Sequence, residues 1–292
     1  MSQKGKRKIP PGPGFDADLE DDAKAGTSSG NNVGNDADNS TPSPEKKSKL
    51  AEGNDGKKLQ DEKDIVAYLD ETFDIRQNFI MLEQPRIAMV KETYPQLFTG
   101  KQLVQEFQRI HQIDIDETIR SYCAKYAKGI IEISRGISGS GAILRRAELA
   151  KQENVSLAQY WDMVSALCLI PVLLRENLVE MVQEADLRAE SIDTQGKVVP
   201  TVLCRGGIFN SDEFYLVAEE DLVQEFEEFT LAYAALFACY YVFNMEYPRT
   251  LVNSYTFIQR EVLDIRESTP IPLPVKHLMN KLQRWRKHNL QE

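Results

Sequence analysis

Residues 229–248 read FTLAYAALFACYYVFNMEYP. Wound as a helix, this stretch is apolar or aromatic on every side. A helix without a polar stripe is a buried one. It stops at Asn244 and at Tyr247-Pro248, because the residue before a proline disfavours helix. The segment therefore predicts the centre of a folded domain. Its apolar part, Phe229–Phe243, is 15 residues long, whereas a bilayer span needs about 20. Glu225, Glu227, Glu228 and Glu246 flank it, with no basic cluster to orient a span. No membrane span is expected.

Working outward, Val198–Cys204 and Glu213–Ala218 are β-like, and turn residues fill Arg205–Asp212 between them, so a hairpin is predicted. Glu219–Tyr247 reads as one helix, acidic and then apolar. Helical spacing also marks Asp61–Ile80, Arg86–Tyr94, Lys101–Ile110, Asp116–Lys128, Ile143–Gln152 and Thr250–Ile265. Leu157–Arg188 is a longer helical stretch in which Pro171 predicts a kink. Gly129–Ala142, GIIEISRGISGSGA, predicts a strand, a glycine loop and a break between subdomains. The fold class is α+β, predominantly α-helical, with a small β-hairpin around residues 198–218 packed on a buried central helix, 219–247.

Composition divides the chain into three parts. Residues 1–60 hold one aromatic residue, Phe15, with ten basic and ten acidic side chains. So little apolar surface does not offset the entropy of ordering, and a disordered tail is expected. Residues 61–270 form the largely helical module and carry the acidic excess, against a net charge of −10 for the whole chain. That excess argues against broad, nonspecific nucleic-acid binding, which needs a positive field. Residues 271–292 are a proline-marked linker and a basic amphipathic helix, with Val275, Leu278, Met279, Leu282 and Trp285 on one side. The apolar side is expected to dock on the body, with the acid-rich run Asp212–Glu228 as its mate. Lys281, Arg284, Trp285, Arg286 and Lys287 are the candidates for a partner or nucleic acid.

The tail carries two basic clusters, Lys6, Arg7 and Lys8, then Lys46, Lys47 and Lys49, which suit nuclear import. Thr41 and Ser43 each precede a proline and are candidate phosphorylation sites. Phosphate there would partly neutralise the second cluster.

No catalytic constellation is apparent. Only His111, His277 and His288 are present, and Cys123, Cys168, Cys204 and Cys239 lack metal-ligand spacing. They read as buried thiols. The loop Gly136–Gly141 has the outline of a phosphate-binding turn without its fingerprint, since its glycines fall as GxxGxG. No catalytic residue, cofactor or metal is expected.

Three segments together resemble a group of animal proteins similar to sterile alpha motif domain-containing protein 3. They are Arg76–Ile110, RQNFIMLEQPRIAMVKETYPQLFTGKQLVQEFQRI; Ala166–Leu174, ALCLIPVLL; and Pro200–Arg260, with FYLVAE, LFACYYVFNMEYP and FIQR. The resemblance covers about residues 70–265. It departs at Arg76-Gln77, where a paired arginine is usual, and no sterile alpha motif domain is read upstream. Oligomerisation through such a domain is therefore not carried over. The resemblance implies no catalytic residue and no ligand, and many members look mobile-element-associated. The function expected is a non-enzymatic interaction or regulatory module in the nucleus. The alternative is a nucleic-acid-associated factor using the basic C-terminal helix.

Overall fold

A computed structural model describes residues 61–188 and 191–289. Ten α-helices and one four-stranded sheet make up the described residues, so the fold is α+β and predominantly helical. The helices are α1 (Glu62–Glu71), α2 (Phe73–Asn78), α3 (Ile87–Thr93), α4 (Gln102–His111), α5 (Ile115–Ser134), α6 (Ser140–Glu153), α7 (Ala158–Leu173), α8 (Phe229–Val242), α9 (Val252–Phe257) and α10 (Leu273–Asn289). Single π-helical turns continue α2 over Phe79–Glu83 and α9 over Ile258–Val262.

The strands are β1 (Val182–Ala185), β2 (Thr201–Arg205), β3 (Phe214–Ala218) and β4 (Asp221–Phe226), in spatial order β1-β2-β3-β4. β1 and β2 run parallel; β2, β3 and β4 form an antiparallel meander. The predicted hairpin is β2–β3, with Val202 opposite Leu216 and Cys204 opposite Phe214.

Helix α8 is the centre of the molecule. All of its 14 residues except Leu231 are buried. Helices α4 and α5 pack on it, and β2, β3 and β4 pack on it as well. Phe107 of α4 meets Phe237 and Tyr241 edge-on, and Phe214 of β3 meets Phe229 in the same way. The helix ends in a Schellman turn: Asn244 takes φ +52°, Asn244 N donates to Tyr241 O, and Met245 N donates to Tyr240 O.

The central helix is shorter than the sequence predicts. Residues 219–228 are not helical: Glu219 and Glu220 form a turn and β4 follows. Both glutamates have positive φ, +54° and +66°, as a two-residue type I′ hairpin requires. Asn-Gly is the usual sequence there, so Glu-Glu gives no turn signal. Tertiary bonds hold it instead. Ile87 N donates to Glu219 Oε2 at 2.7 Å, Arg86 Nη2 donates to Glu219 O at 2.9 Å, and Gly196 N donates to Glu220 Oε1 at 3.0 Å.

Two further expectations are corrected. Gly129–Ile133 is helix, not strand, because it completes the 20-residue α5 that starts at the Asp114 cap. Ile130 is fully buried there, and packing overrides the weak β preference of isoleucine. What remains of the glycine loop is the tight link 135–139 between two helices. The stretch 157–188 is helical only to Leu173, with Pro171 in the last turn, and then gives way to β1. Helix α7 packs chiefly on α5 and α6, and it touches the start of α8 where Phe229 N donates to Tyr160 Oη at 3.2 Å. Among the described residues Val155–Leu173 has the length and apolarity to cross a bilayer, and half of that window is buried inside the fold.

Candidate interaction surface

Helix α10 begins two residues before Val275, with Pro274 in its first turn, where the missing N–H costs nothing. Val275, Leu278 and Leu282 are buried against α5 and α9, so the apolar side docks as expected. The mate is not the acidic run 212–228, which is largely spent on β3, the turn and β4. Gly129 of α5 makes room for the Trp285 ring: a Cβ there would lie 2.6 Å from it. Trp285 Nε1 donates to Glu132 Oε2 at 2.8 Å. The Arg286 guanidinium lies over the Tyr126 ring, 5.8 Å from its centroid, and donates to Tyr126 Oη at 3.2 Å.

These contacts divide the five C-terminal candidates. Trp285 and Arg286 are anchors of the helix. Lys281, Arg284 and Lys287 are exposed, and no described residue bonds or pairs with their side chains. With His277 and His288, Lys281 and Arg284 form one row at helical spacing along the outer side of α10. The described part of this helix holds no acid. The other candidates, Lys6, Arg7, Lys8, Thr41, Ser43, Lys46, Lys47 and Lys49, lie outside the described residues.

The row borders a cleft of about 360 Å³ lined by Ile133, Leu174, Leu273, Leu278 and three basic side chains, Arg175, His277 and Lys281. Arg175 closes the turn that ends α7, with φ +61°, Arg175 N donating to Val172 O and Glu176 N donating to Pro171 O. The neighbouring Glu176 does not neutralise it. Its carboxylate caps α9, accepting from Asn253 N and Ser254 N at 2.8 Å each. Leu273 at the rim is 64% exposed.

Elsewhere the polar chemistry is structural. Fully buried Arg76 grips Glu106 through two bonds, Nε to Oε1 at 2.9 Å and Nη2 to Oε2 at 2.7 Å. Gln77 Nε2 and Arg109 Nη1 also reach that carboxylate. Arg76 and Glu106 stand near the two ends of the segment Arg76–Ile110, and no local pattern in it signals that they pair. Tyr247 Oη donates to Tyr241 Oη at 2.9 Å, and Tyr240 Oη donates to Tyr255 Oη of α9 at 3.3 Å, so these tyrosine tips of the central segment find partners within the fold.

All four cysteines are buried and free, and burial pushes the Cys123 and Cys204 thiols up to about 12. At neutral pH they are not thiolates, the reactive form. At the start of α6, the Ser140 hydroxyl is shared between the Ser134 and Ile137 carbonyls at 2.7 Å each, closing the 135–139 link. No group of three His, Cys, Asp or Glu among the described residues is placed to hold a metal. Glu261, in the π turn after α9, is half-buried, and burial with the nearby Asp264 charge raises its carboxyl to about 7.

No family model matches the chain, and no solved structure matches it. Among curated proteins, sterile alpha motif domain-containing protein 3 of Homo sapiens is 23% identical over 208 residues, which is 70% of this chain. The match spans only 38% of that protein's length. The chain is thus similar to that protein, as the three segments imply.

Proposed function

We propose that this chain is a non-enzymatic protein-interaction or regulatory module acting in the nucleus, with the outer side of α10 as its working surface. One observation carries the reading: an acid-free helix, locked to the body by Trp285 and Arg286, holds Lys281, Arg284 and Lys287 out to solvent on an otherwise acidic protein. Unpaired charge on a rigid element steers and selects an oppositely charged partner. The two basic clusters of residues 1–60 support the nuclear assignment. The test is affinity purification from nuclear extract with the wild type and with Lys281, Arg284 and Lys287 all changed to Ala. A specific protein recovered by the wild type and lost by the variant is expected; recovery unaffected by the changes rejects the surface.

The same cations favour a second reading, a nucleic-acid-associated factor using α10. Three phosphate contacts give a log–log salt slope of about −2.7 on duplex DNA, from roughly −0.9 per contact. Absence of binding to DNA or RNA at low salt removes this reading.

A further inference from the structure

We infer that the cleft between the end of α7 and the start of α10 seats an acidic peptide segment of a partner protein, one that carries an apolar anchor. The inference rests on the interaction-module reading and names the chemistry of the partner. Its size, about 360 Å³, lies at the small end of ligand pockets. Its walls are aliphatic, and no acid among the described residues lines it. Arg175, His277 and Lys281 come to it from two elements far apart in sequence, and no described residue bonds or pairs with their side chains. Arg175 is set there by an αL turn in which glycine is the usual residue. Its one acidic neighbour in sequence, Glu176, is turned to the α9 amides.

Basic groups with no partner among the described residues, on an apolar floor, complement a ligand with carboxylates around a hydrophobic side chain. A nucleic-acid strand fits less well. No Phe, Tyr or Trp among the described residues lines the cleft for base stacking, and the phosphate backbone has nothing apolar to place on Leu273, Leu174 and Leu278. Leu273 is exposed at the rim, where an anchor would bury it.

The test uses the full chain and a fluorescein-labelled synthetic peptide, Gly-Phe-Asp-Ala-Asp-Leu-Glu-Asp-Asp-Ala. This sequence is that of residues 14–23 and has the required alternation. Anisotropy is read at about 0.15 M salt, where exposed charges more than about 8 Å apart are screened. Saturable binding is expected, weakened at least tenfold by Arg175→Ala together with Lys281→Ala and unchanged by Lys276→Ala. A peptide with serine in place of Phe and Leu should also lose at least tenfold. Arg175→Gly keeps the turn without the charge, so weakening there separates lost charge from a distorted loop. Equal binding of the serine peptide, or an oligonucleotide outcompeting the probe, overturns the proposal. So does tighter probe binding by a chain with Asp16, Asp18 and Glu20 changed to Asn, which makes the chain's own segment the occupant. If the probe fails while a purified nuclear partner still depends on Arg284 and Lys287, only the cleft assignment falls.

Discussion

Asn244 does two jobs at one position. Its backbone sits in the left-handed region, and its side chain is buried with Nδ2 lacking a partner among the described residues. A branched or bulky residue there pays the left-handed penalty of about 1–2 kcal/mol, which glycine avoids. Asn244→Leu should therefore cost more stability than Asn244→Gly in urea unfolding; equal losses would sink the backbone account. Glu261 gives a pH test. Its carboxyl is raised in the fold to about 7, from the 4.5 of an ordinary exposed glutamate. The native state thus holds the proton more tightly, and the ionised group destabilises as pH rises from about 4.5 to 7. Glu261→Gln mimics the protonated form. Its melting temperature should match the wild type near pH 5 and exceed it near pH 8; a gap that does not widen with pH contradicts this placement.

At the scale of elements, glycine was the hardest residue to read. Gly129 looks like a breaker beside three isoleucines, yet it is a notch in a continuous helix for the Trp285 ring. The partner of that notch lies more than 150 residues away, so no local pattern carries it. Alanine in a helix interior is favoured over glycine by roughly 0.5–1 kcal/mol. At residue 129 the contact should reverse that sign: Gly129→Ala displaces the ring, lowers stability and shifts Trp285 emission. A stabilised variant with unchanged emission would reject the packing. The buried helix, its polar stop, the first hairpin and the amphipathic α10 were all legible, because each has a periodic or composition signal within its own span. β1 and β4 were not. β1 pairs with β2 across residues 186–200, and β4 follows β3 through the Glu219-Glu220 turn, which gives no turn signal, and runs straight into α8.

For the whole molecule, the legible part is the separation of roles. The apolar centre, the acidic body and the acid-free α10 are all visible in composition. Where the two ends of a motif meet was not. Arg76 and Glu106, 30 residues apart, fasten α2 to α4 as a fully buried ion pair. Pairs of this kind contribute little net stability over apolar replacements, but losing one partner leaves an uncompensated charge. That is one physical reason for such residues to lie in the segments that carry the resemblance. The surface of α10 was legible as a set of charges, and the division into anchors and free cations required the docked geometry.

The Glu219-Glu220 turn has a kinetic consequence. A hairpin closed by two residues with left-handed backbones and no glycine has little tendency to form alone. It depends on Ile87, Arg86 and Gly196, which reach it only when the rest of the domain is in place. The turn should therefore form after the folding barrier. Glu219→Gln weakens its cap on Ile87, and the loss should appear as faster unfolding with the refolding rate unchanged, a φ-value near zero. Stopped-flow chevrons measure both limbs. A slowed refolding limb would place the turn in the nucleus and make the β3–β4 pair an early event.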